Sequence, residues 1–491
     1  MVKRLVASDC MPFLLGNNKS CSKDNIISPN SDKKAYIKVL TQFVDSIIPV
    51  SIFNDNSLKD DVESKLAYSP FENQPLIFRN GNSVETVRAW QAGRYVGSAR
   101  IGDTLIEITP RFGEEWLKYV LDDIFNFKLT KSKDANNTEQ NPLMLRILWD
   151  IWVRKFAEAD QYGLPRSTVK RIHQGVQTRG HLNIRKSIFP FFTKRQVVSE
   201  YREKEIDDAI CEIVYKAYGI LMNRNIKNSN VPSQIEDTLN SLHTHYKGKA
   251  ISVTEQDYQD VSYKSIYLSW KPLVDFSWQI IKQDSLFKKT NKQKGENFSI
   301  FFDMAEIWEA FLRKKLSEGF ADDGWRTLSV EECKYKIYQG KFFERLIIPD
   351  IILTRTNEKG ESEYMVFDAK YKRMRINKSK GYDVDRTDLF QIHTYIQFVE
   401  HHLGHIVVGG LLYPLTQKVQ DNEGNEVEFK IDTDRFHSAH LYGKESGMYP
   451  NTPFIIDGVF CSESDDADGN NKDAMDRNVK EMIDRIKKCI N

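Results

Sequence analysis

Acidic residues and a lysine interrupt two apolar stretches in the last third of the chain. Asp350 lies within LIIPDIILT, and Asp368 and Lys370 lie within YMVFDAKY. The apolar residues predict a buried strand in each stretch, where an ionised carboxylate is costly unless it is paired or binds a metal. These residue types therefore favour a chemical role at this place.

The turn sequence NEKG at 357–360 predicts that the two strands pair. Successive side chains of a strand alternate between its faces, so Asp368 and Lys370 share one face and Asp350 converges with Asp368 at one sheet edge. Two carboxylates suit Mg²⁺, or Mn²⁺ in its place, which keeps water ligands for a substrate phosphate. An ammonium group beside such a metal orients water and stabilises charge on a phosphodiester under attack. The predicted chemistry is metal-assisted phosphodiester hydrolysis.

Two predicted helices can support this site. Gln391 and Tyr395 are four residues apart on one helical face, as are Glu309 and Arg313. The alternative readings are structural. Gln391 and Tyr395 could satisfy each other in the core, and Glu309 could be a solvent-facing helix acid. Asp350 and Asp368 could form salt bridges with Lys370 or Arg373.

Two runs of basic residues are candidates for phosphate contact. The first follows Lys370 and contains no acid; its members are Lys372, Arg373, Arg375, Lys378 and Lys380. Because phosphate contacts need positive charge within reach, this run beside the metal site is the predicted DNA-binding segment. The second run, 163–199, also lacks acids, but such runs are more often solvated faces.

Length and composition limit the class of protein. A chain of 491 residues predicts about three domains at roughly 150 residues each. Lys and Arg total 70 against 69 Asp and Glu, so the net charge does not indicate a class of binding partner. The six cysteines form no CxxC pair, which argues against a zinc ribbon or a disulfide framework and favours a reducing cytoplasm. No signal peptide or apolar window of ~18 residues is evident, so we expect no membrane association.

The pattern along the chain predicts an α+β multidomain protein. Residues 1–35 predict an irregular leader, 36–130 a β-rich N-terminal domain, and 142–295 a helical middle region. Residues 296–460 predict an α/β domain with a mixed sheet, in the order helix, three strands, helix, strand, with the first helix at about 298–316. Residues 461–491 predict an acidic, mobile tail.

Pro349-Asp350 followed by Asp368-Ala369-Lys370, on this element order, resembles the PD-(D/E)xK nuclease superfamily. Gln391-x-x-x-Tyr395 resembles its RecB-like branch. More narrowly, the chain is similar to the McrC family, the nuclease subunit of the McrBC modification-dependent restriction system, over roughly residues 75–415. The segments that carry this likeness are YVGSARIGDTLIEITPRF, TRGHLNI, FFDMAEIWEAFL, IIPDIIL, FDAKYKR and DLFQIHTYI. Pro110-Arg111 stands where the family commonly has Pro-Lys.

The resemblance implies roles for these residues. Asp350 and Asp368 would bind the metal, Lys370 would be the catalytic lysine, and the helix acid Glu309 would support the metal. Gln391 and Tyr395 would hold the active site or the nearby strand.

The resemblance also implies partners. These are double-stranded DNA and an McrB-like ring-forming GTPase or ATPase engaged by residues 36–130, and dimerisation through the nuclease domain is compatible with it. The sequence independently lacks a G-x-x-x-x-G-K-[ST] loop, since Lys249 is followed by Ala250 and Lys444 by Glu445. We therefore expect no nucleotide to bind this chain.

Two other functions fit the same residues. One is a RecB-like repair or end-processing nuclease that works without a motor partner. The other is a non-catalytic regulator whose β-rich N-terminal region acts on an NTPase ring.

Overall fold

The fold is given by a computed structural model of the chain. The residues that it describes are 3–11, 13, 77–79, 90–101, 104–125, 142–223, 233–290, 299–340, 344–372, 375–377, 381–416, 418–420, 426–428, 431, 436–437, 439–440, 452–461 and 471–490. The chain divides into two compact units. Residues 142–285 form one, and residues 1–141 together with 286–491 form the other.

The N-terminal part of the larger unit is β-rich. Its elements are β1 (Lys3–Ser8), β2 (Ile77–Arg79), β3 (Trp90–Ala92), β4 (Tyr95–Ile101), β5 (Thr104–Thr109) and helix α1 (Glu114–Phe125). β1 runs parallel to β5, and β4 runs antiparallel to β5. The prediction of an irregular leader is wrong for residues 3–8, which form β1. Its partner strand lies about a hundred residues away, and a parallel pairing over that distance leaves no local signal.

The smaller unit combines helices with a three-stranded sheet in the order β6-β8-β7. Its elements are α2 (Pro142–Ala159), β6 (Arg166–Gly175), β7 (His181–Leu182), α3 (Ile184–Lys194), β8 (Val197–Ile206), α4 (Asp208–Met222), α5 (Ser233–Tyr246), α6 (Glu255–Gln259) and α7 (Lys271–Thr290), the last of which continues past residue 285. Trp149, Trp152 and Phe156 of α2 pack together in its core. The prediction of a helical middle region therefore misses one sheet. β6 is largely exposed and both β6 and β8 carry several charged residues, so the apolar alternation that marks a strand is weak.

The next two elements are β9 (Ser299–Asp303) and α8 (Met304–Phe320). The predicted helix at 298–316 thus begins too early, because 299–303 pair with β4 and complete a sheet of order β1-β5-β4-β9. Ile300, Phe301 and Phe302 are all buried, and such an apolar run does not distinguish strand from helix. Asp303 marks the boundary, since its side chain caps α8 by accepting a 2.9 Å hydrogen bond from the Ala305 N–H.

The C-terminal part is built on a six-stranded mixed sheet of order β10-β13-β14-β17-β21-β20. The elements of this part are β10 (Arg326–Thr327), β11 (Tyr335–Gln339), β12 (Glu344–Ile347), β13 (Ile351–Thr356), β14 (Ser362–Ala369), β15 (Arg375–Asn377), β16 (Gly381–Asp383), α9 (Arg386–His402), β17 (His405–Leu415), β18 (Lys418–Gln420), β19 (Glu426–Glu428), β20 (Ala439–His440), β21 (Pro453–Phe460) and α10 (Asn471–Ile490). β13 and β14 are antiparallel, whereas β14, β17 and β21 are parallel. The strands predicted at β13, β14 and β17 and the helix predicted at α9 are confirmed.

Helix α9 lies against this sheet through apolar side chains. Ile392 and Ile396 belong to the same buried cluster as Ile352 of β13 and Val366 of β14. Val366 and Asp368 are two residues apart, so α9 faces the side of β14 that carries Asp368. The sheet and α9 together position the candidate site.

The chain ends in an ordered helix rather than the predicted mobile tail. Met475, Val479, Met482 and Ile486 form a buried stripe on α10, which packs against β21 and α8. Asp476 accepts a 2.7 Å hydrogen bond from Tyr119, and Arg485 forms a 2.7 Å ion pair with Asp457 of β21. The prediction is wrong for 471–490 because this narrow stripe is stable only on a sheet that the local sequence does not reveal. Among the described residues, no helix has the length and apolar character needed to cross a membrane.

Candidate active site

Asp350 and Asp368 lie side by side at one end of the β13–β14 pair. Asp350 immediately precedes β13, and the antiparallel register pairs Ile351 with Phe367, which places Asp350 opposite Asp368. The Asp350 Oδ2 atom accepts a 2.8 Å hydrogen bond from the Ala369 N–H. The Asp368 side chain is completely buried. The convergence predicted from the 357–360 turn is present.

The Lys370 ammonium group joins this pair. Its Nζ atom lies 2.8 Å from Asp368 Oδ2 and donates a 2.8 Å hydrogen bond to Gln391 Oε1. The Gln391 Nε2 atom in turn donates to the Tyr395 hydroxyl at 2.8 Å. Gln391 and Tyr395 therefore satisfy each other, as one reading of the sequence allowed, and Gln391 also holds the lysine.

Burial dominates the electrostatics of the site. It raises the pKa of Asp368 well above its ordinary value, and the nearby Asp350 carboxylate raises it further. The pKa of Asp350 is raised by burial and then by Glu309. Burial by itself would lower the pKa of Lys370, but Asp368 and Asp350 raise it above the ordinary lysine value. Lys370 therefore remains an ammonium ion at neutral pH.

Glu309 of α8 lies near the pair and faces Arg313. The Arg313 NH2 atom is 3.6 Å from Glu309 Oε1, and the same guanidinium group donates hydrogen bonds to the main-chain oxygens of Leu328 and Asp350. Burial raises the pKa of Glu309 to about 7, against the opposing effect of Arg313. Its side chain is still 37% exposed, so water reaches the carboxylate.

The donor set fits a hard divalent cation that keeps water ligands. Within the described part of the chain, no three His, Cys, Asp or Glu side chains are gathered as a metal cluster, so Glu309 does not complete a three-acid site here. Neither carboxylate oxygen of Asp368 makes a hydrogen bond of regular geometry among the described residues, although both are buried. A buried carboxylate that lies beside a second carboxylate and is ion-paired with Lys370 is suited to Mg²⁺, which takes one or two such ligands.

Asp388 is a member of the site that the sequence reasoning missed. It is buried in the first turn of α9, with its carboxylate 3.8 Å from Lys370 Nζ and 2.5 Å from Lys372 Nζ. The Tyr413 hydroxyl is 3.5 Å from the same carboxylate. The available signal was its position three residues before Gln391, which puts both side chains on one helical face.

The predicted DNA-binding run is only partly described. Lys372 contacts Asp388 and lies 3.7 Å from Asp385, so two acids face the ammonium group that the sequence predicts to bind DNA. The acids come from the start of α9 and the residue that caps it, outside the local run in which no acid occurs. Arg375 is described only as part of β15, and Arg373, Lys378 and Lys380 lie outside the described residues.

The second basic run, 163–199, extends from just before β6 to the start of β8, and acids of β8 lie beside it. Arg171 forms an ion pair with Glu205, and Lys186 Nζ is 3.7 Å from Glu200. The antiparallel β6–β8 pairing brings these acids to a run that has none in its own sequence. The same region exposes large apolar side chains on α3, including Phe189 and Phe192.

These features define a mixed α/β protein whose central sheet gathers one buried and one half-buried carboxylate and a lysine at one end of the β13–β14 pair. The chain belongs to the family described as McrBC 5-methylcytosine restriction system component, whose model matches residues 90–414.

Comparison with curated proteins gives no match. Two solved structures are similar to the chain. One is a half-complex from a tetradecameric assembly of Thermococcus gammatolerans McrB AAA+ hexamers with bound McrC, at 15% identity over 99% of this chain and 100% of that chain, with a TM-score of 0.48. The other is the cryo-EM structure of the Thermococcus gammatolerans McrBC complex, at 17% identity over 65% of this chain and 88% of that chain, with a TM-score of 0.34.

Proposed function

We propose that this chain is the DNA endonuclease subunit of an McrBC-type restriction system and hydrolyses phosphodiester bonds with Mg²⁺. The observation that carries the proposal is the meeting of Asp350, Asp368 and Lys370 at the end of β14. Family membership supports the restriction system as its context.

The excess of acid at the site favours a metal over a purely structural salt bridge. The Lys372 ammonium faces Asp388, and the Arg313 guanidinium faces Glu309. The Lys370 ammonium is left to balance both Asp350 and Asp368. Adjacent carboxylates with one shared cation repel each other, and a divalent ion relieves that repulsion.

Each residue has a distinct task in the proposed hydrolysis. Asp350 and Asp368 would hold Mg²⁺, which when bound polarises the phosphodiester and lowers the pKa of water. Lys370, as an ammonium ion, donates a hydrogen bond that orients the attacking water and stabilises negative charge on the phosphate oxygens. The water oxygen forms the new bond to phosphorus and the bond to the leaving oxygen breaks. One water proton passes to solvent, and the leaving oxygen takes up a proton from solvent. Gln391 keeps the Lys370 ammonium in place.

Nucleotide hydrolysis in this proposal belongs to a separate chain. One of the two similar structures contains McrB AAA+ hexamers with bound McrC, and the other is the McrBC complex. The sequence has no phosphate loop of the G-x-x-x-x-G-K-[ST] type. An McrB-like ring NTPase is the partner we infer, contacted through the N-terminal β-rich region. Double-stranded DNA is the substrate.

The test of the chemistry uses Asp350→Asn, Asp368→Asn and Lys370→Ala in the full complex. Each should reduce Mg²⁺-dependent cleavage of 5-methylcytosine-containing plasmid by at least a thousandfold while leaving partner binding unchanged. Glu363→Gln is the matched control, because Glu363 lies on the same strand β14 and pairs with Arg355 at 2.8 Å, at the opposite end. Wild-type cleavage by Asp368→Asn would refute the mechanism.

The same preparation separates the alternative functions. The chain should cut only with an McrB-like partner, nucleotide and modified DNA. Cutting by the isolated chain, indifferent to methylation and nucleotide, would identify a stand-alone nuclease. Stimulation of the partner's nucleotide turnover without any cleavage would identify a non-catalytic regulator.

A further inference from the structure

A buried cation, Arg111, follows β5 in the N-terminal sheet. Its side chain is only 6% exposed, and none of its three guanidinium nitrogens has a hydrogen-bond partner among the described residues. The nearest carboxylate oxygen, Asp9 Oδ2, is 3.9 Å from Arg111 Nε. Burying a guanidinium group with so few polar contacts lowers the stability of the fold. Packing within the N-terminal sheet therefore does not explain why Arg111 is buried.

The contacts that Arg111 does make are with aromatic rings. Its guanidinium carbon lies 4.8 Å from the centre of the Phe112 ring and 4.5 Å from that of Tyr371. Trp116 stacks on the same Tyr371 ring at 6.3 Å, and Phe112 meets it edge-on at 6.4 Å. Arg111, Phe112 and Trp116 thus contact the ring of Tyr371, the residue that follows Lys370 in the chain.

Lys370 and Tyr371 project to opposite sides of the sheet, as consecutive residues of an extended chain do. The Lys370 side chain reaches Gln391 of α9 on one side, while Tyr371 reaches Arg111 on the other. The main chain immediately before the Lys370 side chain is held by a 2.9 Å hydrogen bond from the Lys370 N–H to the Leu412 oxygen. Lys370 and Tyr371 share one peptide on the other side of the lysine, so a shift of the Tyr371 ring would move the backbone that carries the lysine.

We propose that Arg111 is a positioning residue for Lys370, because it holds the Tyr371 ring and so fixes the strand end from which the ammonium group reaches Asp368. This inference rests on the proposed nuclease function. The parallel pairing of β1 with β5 brings Asp9 and Arg111 together. Asp9 Oδ1 accepts a 2.5 Å hydrogen bond from the main-chain N–H of Arg111. The N-terminal sheet in this way contacts the catalytic lysine through a single intervening residue.

The test compares Arg111→Met and Arg111→Lys in the full complex. Since Met leaves Asp9 without its ion partner, the double variant Asp9→Asn/Arg111→Met is measured beside it. Arg94→Met is the matched control: Arg94 is a partly buried cation of the same sheet that pairs with Asp303 at 2.7 Å.

At saturating DNA and Mg²⁺, the single-turnover rate should fall about tenfold to a hundredfold in both Met variants at Arg111, with DNA and Mg²⁺ affinities unchanged. Arg111→Lys should recover part of the rate, because it keeps a cation at the ring. Arg94→Met should cleave at the wild-type rate. Wild-type rates in both Met variants would overturn the proposal, as would parallel losses of rate, affinity and melting temperature in both.

A second readout does not depend on cleavage. Amide hydrogen exchange of the segment 366–372 should accelerate in the Met variants at Arg111 and stay unchanged in Arg94→Met. If the wild-type complex does not cut DNA, the nuclease function fails, and this exchange measurement still decides the role of Arg111. Unchanged exchange at 366–372 would show that Arg111 does not hold this strand end.

Discussion

The Gln391 amide oxygen accepts a 2.8 Å hydrogen bond from the Lys370 ammonium, across a sequence separation of 21 residues. The other end of the amide donates to Tyr395, which fixes which way the amide points. Helix α9 therefore controls the direction of the lysine side chain. Lys370 directly follows β14, and Gln391 of α9 sets the direction of its side chain.

Removing this amide should slow cleavage more than it weakens binding. We expect Gln391→Ala to lower the single-turnover rate about tenfold to a hundredfold, because the ammonium loses the partner that aims it. DNA affinity, measured by filter binding, should stay within about twofold. Thr394→Ala on the same helix is the control, since its hydroxyl bonds only to the Phe390 oxygen in the described contacts. A rate that Gln391→Ala leaves unchanged would argue against this orientation role.

Lys372 and Asp388 should behave as a coupled pair. Their 2.5 Å contact predicts that Lys372→Ala and Asp388→Asn each destabilise the protein, and that the double change costs less than the sum of the two single changes. A double-mutant cycle by urea unfolding should give a coupling energy on the order of 1 kcal/mol.

The salt dependence of DNA binding tests whether Lys372 contacts a phosphate rather than Asp388. If Lys372 instead contacts a phosphate, Lys372→Ala should reduce the slope of log K against log salt by about 0.9. The ion pair with Asp388 predicts a change in that slope well below this value. A full change in the slope, together with no coupling to Asp388, would support the predicted DNA-binding role of Lys372.

Glu309 should make metal affinity depend on pH near neutrality. Its pKa of about 7 means that it gains a proton as the pH falls through this range, and metal binding favours the carboxylate. Mg²⁺ affinity measured by calorimetry should therefore fall from pH 8 to pH 6 more steeply in wild type than in Glu309→Gln. An equal pH dependence of Mg²⁺ affinity in wild type and Glu309→Gln would show that Glu309 does not affect metal binding.

The same raised pKa has a consequence for stability without metal. The folded value lies above the reference value of 4.5, so the folded state binds more protons between these two values. The stability contribution of Glu309 is full below about pH 4.5 and is lost as the pH rises through about 7. Relative to wild type, Glu309→Gln should gain stability across this window.

The paired glycines of β17 should differ in their tolerance of alanine. A Cβ atom at Gly410 would lie 2.3 Å from the Ile455 main-chain oxygen, whereas one at Gly409 would first meet the flexible end of Ile396. Gly410→Ala should destabilise the C-terminal sheet by about 1–3 kcal/mol in urea unfolding, and Gly409→Ala by less. The opposite ranking would mean that β21 moves more easily than the Ile396 side chain.

The local sequence determined the parts of this protein whose signals lie within a few residues. Alternating apolar residues and the turn at 357–360 sufficed to predict β13 and β14 and the convergence of Asp350 with Asp368, because the register of a short hairpin follows from its turn. The four-residue spacing of Gln391 and Tyr395 likewise predicted their contact on α9.

Tertiary structure decided what depends on partners distant in sequence. β1 is a strand only because β5 lies beside it, and α10 is ordered only because the sheet covers its apolar stripe. Lys372 is paired because α9 brings Asp388 to it. Arg111 meets Tyr371 across 260 positions of the numbering. A short stretch of sequence contains only one of the two residues in each such contact. Burial, ion pairing and parallel strand pairing depend on both residues, so only the folded chain determines them.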